Sequence, residues 1–205
     1  MRKWAVTIFD DPLDRFTVVL DACTLFPMLV RDVLLTLAGH EFFNPKWSSR
    51  IRAEWMRNLS ERLGERSFHG NTVTQVQRIA TAMDAAFPDA AIEFECAEAT
   101  ILEPVHVKDR HVVAAAMAVR ADAIVTFNFA DFAVAHLKEH LQIEVIHPMD
   151  LVGLREKRAV SAFRELRARK QNPPWAPIEL IQRLQRSGLV QTSPWLSTED
   201  VVALI

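Results

Sequence analysis

Two rhythms of apolar residues alternate along the chain. Short continuous runs mark strands: TVVL at residues 17–20, AIVT at 123–126 and IEVIH at 143–147, joined by AAIEFECA at 90–97, where Ile92, Phe94 and Cys96 alternate on one side. Between them apolar residues recur every three or four positions, the period of a helix with one buried face. The spacing predicts a helix over residues 27–38, with Pro27 in its first turn, a broad face of Met28, Leu29, Leu34, Leu35 and Leu37, and Gly39 as its stop. A second helix opens at Ser48 or Ser49 and ends near Gly64, turning Ile51, Trp55, Leu59 and Leu63 inward. A third covers 72–87, with Val73, Val76, Ile79, Ala80, Met83 and Phe87 inward. Further helices are predicted over 108–120 and 132–140.

Strands that alternate with helices predict an α/β fold around a mostly parallel sheet, with helices on both faces. The 205 residues suit one medium domain with a smaller appendage. Three segments are expected: an extension at 1–16 without usable periodicity, a body at 17–152, and a helical extension at 153–205 broken by Pro173, Pro174 and Pro177.

Composition narrows the class. Half of the residues are hydrophobic and 24% are charged, the balance of a soluble globular chain. The WAVTIF run is too short for a signal core and is followed at once by Asp10 and Asp11; VVAAAMAV at 112–119 is too short to cross a membrane. Cys23 and Cys96 lie far apart without metal-type spacing, which points to a reduced, cytoplasmic setting. The net charge of −2 is uneven: residues 1–150 carry 15 Lys+Arg against 21 Asp+Glu, whereas residues 151–190 carry nine against three. An acidic body with a basic tail can hold metal at one place and polyanion at another, although a solvated helix surface explains the tail equally well.

The apolar strands stop at carboxylates. Asp21 ends the first; Asn128 and Asp131 lie just past the IVT strand; Asp109 opens the alanine-rich helix; Glu54 sits one turn from Ile51 beside the buried stripe of its helix. Ligands of open parallel sheets bind beyond the carboxyl ends of the strands. Taken singly, each residue has an ordinary structural explanation: Asp21, Asp109 and Asp131 as caps, and Glu54 as an exposed partner of Arg50 or Arg57. A phosphatase that uses an Asp after its first strand needs another Asp two residues on, and Cys23 stands there.

Taken together, VVLDAC, the helical Glu54, KDRHVVAAA and ADAIVTFNFADF resemble the PIN-domain ribonucleases, in the branch that contains VapC-type toxins of bacterial toxin–antitoxin pairs. The likeness covers residues 16–152, and the basic tail with NPP resembles the C-terminal extension of some members. It implies a three-layer α/β/α sandwich and an Mg²⁺-dependent endoribonuclease, with Mn²⁺ as an alternative ion. Asp21, Glu54, Asp109 and Asp131 are its expected catalytic acids, and Asp21, Asp109 and Asp131 its metal ligands. Thr126 and Asn128 support them; Asn128 stands where many members have Asp, and Cys23 where many have a small polar residue. His111 fits the DxH pattern of the branch. The resemblance also implies RNA as substrate, a homodimer and a cognate antitoxin. The leucine-rich first helix and the third helix are expected to offer the pairing surface. A PIN nuclease of RNA maturation, or a catalytically silent PIN-fold binding protein, are the competing readings.

The chemistry suits the residues. Clustered carboxylates raise one another's pKa until a cation offsets the repulsion, and Mg²⁺ takes one or two carboxylates with waters completing its shell. Such an ion activates water for attack on a phosphodiester. RNA contacts must then come from nearby cations, for which Lys46, Arg50, Lys108 and Arg110 are the candidates, with Arg52, Arg57 and the tail behind them. Trp47 and Trp55 are candidates for stacking on bases, Trp55 being better placed for the core.

Overall fold

A computed structural model of the chain describes residues 16–65, 72–94, 102–153 and 156–189, together with Thr198, Val202, Ala203 and Ile205. The expectations for residues 1–15, for Cys96 and for the end of the tail lie outside these residues. Five strands form one sheet: β1 (Thr17–Leu20), β2 (Asn44–Ser48), β3 (Ala91–Ile92), β4 (Ala123–Val125) and β5 (Glu144–Ile146). Their order is β3-β2-β1-β4-β5 and every neighbouring pair is parallel. A parallel sheet has helices over both faces, so its central strands need apolar residues throughout. Val18, Val19, Leu20, Ala123, Ile124 and Val125 are accordingly all at 0% exposure. This is the α/β/α sandwich expected.

The helices are α1 (Ala22–Leu25), α2 (Met28–Gly39), α3 (Ser49–Glu65), α4 (Thr72–Ala86), α5 (Arg110–Ala118), α6 (Val134–His136), α7 (Asp150–Gly153), α8 (Glu156–Ala168) and α9 (Pro177–Arg186). Ile51, Trp55 and Leu59 of α3 and Val76, Ala80 and Met83 of α4 are buried, as their spacing requires. Val73, expected inward, lies in the first turn of α4 and is 70% exposed. The helix expected over 132–140 is broken into a 3₁₀ turn at Phe129–Phe132, the short α6 and a wide turn at Leu137–Leu141. Ala133 and Gln142, both left-handed, mark the joints.

Strand β2 has no counterpart among the expected elements, because NPKWS places a proline inside it. The ladder explains the tolerance. Asn44 N–H donates to Phe16 O on the β1 side, and Trp47 N–H donates to Ala90 O on the β3 side. Alternation therefore turns the nitrogen of Pro45 toward β3, which pairs only with Trp47 and Ser48 and does not reach it. No donor is missed.

The C-terminal extension packs onto the body. Helix α8 lies on α2, with Ala159, Ala162, Phe163 and Leu166 buried. The rim carries Lys170 Nζ on Asp32 Oδ2 at 2.7 Å and His40 on Glu165 at 2.7 Å. The apolar face of α2 expected to serve pairing between copies is thus covered by the chain's own α8.

Candidate metal centre

The strand order reverses at β1, whose neighbours β2 and β4 lead in opposite directions, and the carboxyl ends of β1 and β4 are where such a sheet takes its ligands. Asp21 follows β1 there, 5% exposed. It stands at the N-cap position of α1 yet makes no capping bond with its side chain. Its Oδ2 accepts from Thr126 Oγ1 at 2.7 Å and from the Cys23 thiol at 3.0 Å. Thr126 Oγ1 in turn accepts from Asn128 N–H at 2.9 Å. Burial beside the Asp21 carboxylate pushes the Cys23 thiol up to about 12.

The loop after β4 brings in the next carboxylate. Asn128 Nδ2 donates to Asp131 Oδ2 at 2.7 Å, so the amide orients Asp131 and leaves the charge to it. Asp131 O accepts from His106 N–H at 2.8 Å, and His106 O accepts from Asp109 N–H at 2.8 Å. One donor atom from each of His106, Asp109 and Asp131 lies within 4.8 Å of the others, a set able to hold a cation. His106 was not among the residues singled out from the sequence. Its signal is the spacing, three residues before Asp109 in a stretch without periodicity.

Asp109 is the N-cap residue of α5, but its side chain makes no capping bond. Partial burial raises its carboxyl above the usual range, and the charges of Asp21, Asp131 and Glu54 raise it further, with His106 pulling the other way. Carboxylates from β1, α3 and the β4 loop thus all act on one group.

Glu54 meets His111 rather than the arginines beside it. The His111 ring, 4% exposed, holds the Lys108 carbonyl through Nδ1 at 2.7 Å and presents Nε2 to Glu54 Oε2 at 3.4 Å. The nearby His111 ring holds the Glu54 carboxyl below its usual range against partial burial, with smaller help from Arg57 and Arg50.

The cationic candidates divide. Arg50 and Lys108 are exposed beside the site. Lys46 donates to Asp89 O, and Arg52 pairs with Asp84. Arg110 ties down the preceding loop, donating to Val105 O at 3.1 Å and Glu103 O at 3.0 Å. Trp47 and Trp55, at 1% and 0% exposure, are core residues and have no face for a base. In the tail, Arg167 holds Trp175 O, Arg169 and Arg183 pair with Glu165 and Glu179, and Lys170 reaches Asp32. These four cations are therefore engaged within the fold.

Two family models match the chain: the PIN domain over residues 17–130 and the VapC50 C-terminal domain over residues 149–197. The chain is also similar to the candidate ribonuclease VapC50 of Mycobacterium tuberculosis, at 36% identity over 83 residues, 38% of this chain and 48% of that protein. It thus spans about half the length of this relative. No solved structure matches it. Among the described residues, no helix is long and apolar enough to cross a membrane.

Proposed function

We infer, from the premise that the chain belongs to the PIN-domain family, that it is a metal-dependent endoribonuclease, the toxin of a toxin–antitoxin pair. The observation that carries this reading is the convergence of carboxylates from separate segments on Asp109, which makes no capping bond of its own. A cluster of hard oxygen donors whose charges raise the Asp109 carboxyl fits Mg²⁺ or Mn²⁺. Asp109 and Asp131 would hold the ion, with Asp21 behind them. When bound, it supplies an activated water and positive charge opposite the leaving oxygen of a phosphodiester.

The chain's own residues do the rest. Thr126 and Cys23 fix the Asp21 carboxylate by donating to the same oxygen. Asn128 orients the Asp131 carboxylate through its amide. His111 holds the Glu54 carboxyl below its usual range, so its charge would position a water or the ion rather than take a proton. Exposed Lys108 and Arg50 offset the acidic field toward the RNA backbone. The match of residues 149–197 to the VapC50 C-terminal domain supports the toxin branch over an RNA-maturation nuclease. An antitoxin would cover the acidic pocket in a cytoplasmic complex, and self-pairing would use surface other than the α2 face under α8.

The test is a cleavage assay of the purified full chain on total RNA. Cleavage in Mg²⁺, abolished by EDTA and restored by added Mg²⁺, is the expected result; cleavage indifferent to EDTA overturns the metal mechanism. Growth arrest on induction, relieved by coexpressing a small neighbouring reading frame, tests the toxin role.

A further inference from the structure

We propose that His106 supplies a nitrogen ligand to the cation, so that this site favours Mn²⁺ and similar transition-metal ions over Mg²⁺. The inference rests on the metal-centre reading above and deepens it. His106 Nδ1 stands 3.8 Å from Asp109 Oδ2. That is too long for a hydrogen bond. Ligands about 2.1 Å from one octahedral cation lie roughly 3 Å apart when adjacent and about 4 Å apart when opposite, so a small shift of either side chain brings these atoms, already within 4.8 Å of a donor atom of Asp131, into one coordination shell. The imidazole, 45% exposed, carries its lone pair on Nδ1, where it accepts the Lys108 N–H at 3.4 Å, a long bond that an ion at Nδ1 would replace.

Its backbone is fixed from both sides. The N–H of His106 is bound by Asp131 O and its C=O by Asp109 N–H, so the three donor residues form one backbone-locked unit. Beneath it Val105 is 1% exposed, and Arg110 clamps the Val105 and Glu103 carbonyls. This gives Arg110 a positioning role distinct from RNA contact. A ligand set held by its backbone is preorganised, and closing it around an ion costs little ordering. Carboxylates alone suit Mg²⁺; imidazole adds affinity for transition metals, which bind nitrogen better.

The test uses the full chain loaded with Mn²⁺. Electron spin-echo spectroscopy is expected to show ¹⁴N modulation from a coordinated imidazole in the wild type and in His40→Ala, whose ring lies on Glu165. The modulation should vanish in His106→Ala and His106→Gln. Calorimetric titration should show the preference for Mn²⁺ over Mg²⁺ falling by about tenfold or more in both variants, the scale on which ligand-shell changes alter metal affinity. Metal-free melts matching the wild type would report that the variants fold. Bound Mn²⁺ without ¹⁴N modulation, or modulation that survives His106→Ala, overturns the role of His106 while leaving the metal centre standing. Failure of the wild type to bind either ion overturns both.

Discussion

Thr126 Oγ1 donates to Asp21 Oδ2 across 2.7 Å and so joins the carboxyl ends of β4 and β1. The same oxygen accepts the Asn128 N–H, so one hydroxyl fixes a buried carboxylate and the start of the loop that carries Asp131. Thr126 is at 0% exposure, and water cannot replace it. Thr126→Val keeps the shape and removes both bonds. It is expected to cost about 1–3 kcal/mol in urea denaturation, the penalty of leaving buried polar groups unpaired. RNA cleavage should fall with it, while Thr126→Ser retains most of both. Equal behaviour of the two variants would show that the hydroxyl does not matter.

The sequence disclosed β1, β4 and β5 because a parallel sheet buried on both faces leaves continuous apolar runs, and VVL and AIV cannot be much else. It hid β2, whose Pro45 breaks the usual strand signature and is admitted only because β3 is two residues long. It also hid the breaks after β4, where left-handed Ala133 and Gln142 carry no glycine to announce them. The placement of Asp21 and Asp131 was legible because topology sends the ends of β1 and β4 to one edge, and that of Asp109 because it opens the alanine-rich helix. The partners were less so. Glu54 and His111 meet across two helices, and His106 sits in a loop where no period operates.

Cys23 is expected to be inert. Its thiol, pushed up to about 12 by burial and then by Asp21, carries roughly one part in ten thousand thiolate at pH 8. In a Cys96→Ser background, a disulfide reagent should label the native protein very slowly and the denatured protein at once. Fast native labelling would mean that the thiol is not donating to Asp21. Cys23→Ser preserves a donor and should retain cleavage better than Cys23→Ala.

Docking of α8 makes the extension part of the fold's stability. Phe163, 1% exposed, is buried in the helix that covers α2. Phe163→Ala is expected to cost about 3–5 kcal/mol, the range for an emptied aromatic core site. A single shifted unfolding transition is predicted. A loss below about 1 kcal/mol, or a separate early transition, would show that α8 folds apart from the body.

Asp109→Asn separates a metal ligand from a helix cap by the sign of its effect on stability. The Asp109 carboxyl is raised above its ordinary value of 3.8, first by burial and then by Asp21, Asp131 and Glu54. A raised acid favours the proton in the folded state. Above the folded-state value the group is ionised both folded and unfolded, and the folded state bears the full repulsion. Below the unfolded value it is protonated in both, and the penalty is gone. In EDTA, Asp109→Asn should therefore melt above the wild type at pH 7, and the gap should close as pH falls toward the ordinary carboxylate range. Added Mg²⁺ or Mn²⁺ should reverse the order, because the wild type gains more from binding. RNA cleavage should drop by about a hundredfold or more, the scale of losing one charge-stabilising group. A capping aspartate predicts none of this, since Asn caps as well as Asp. Equal melts across pH, with and without metal, would remove Asp109 from the metal centre.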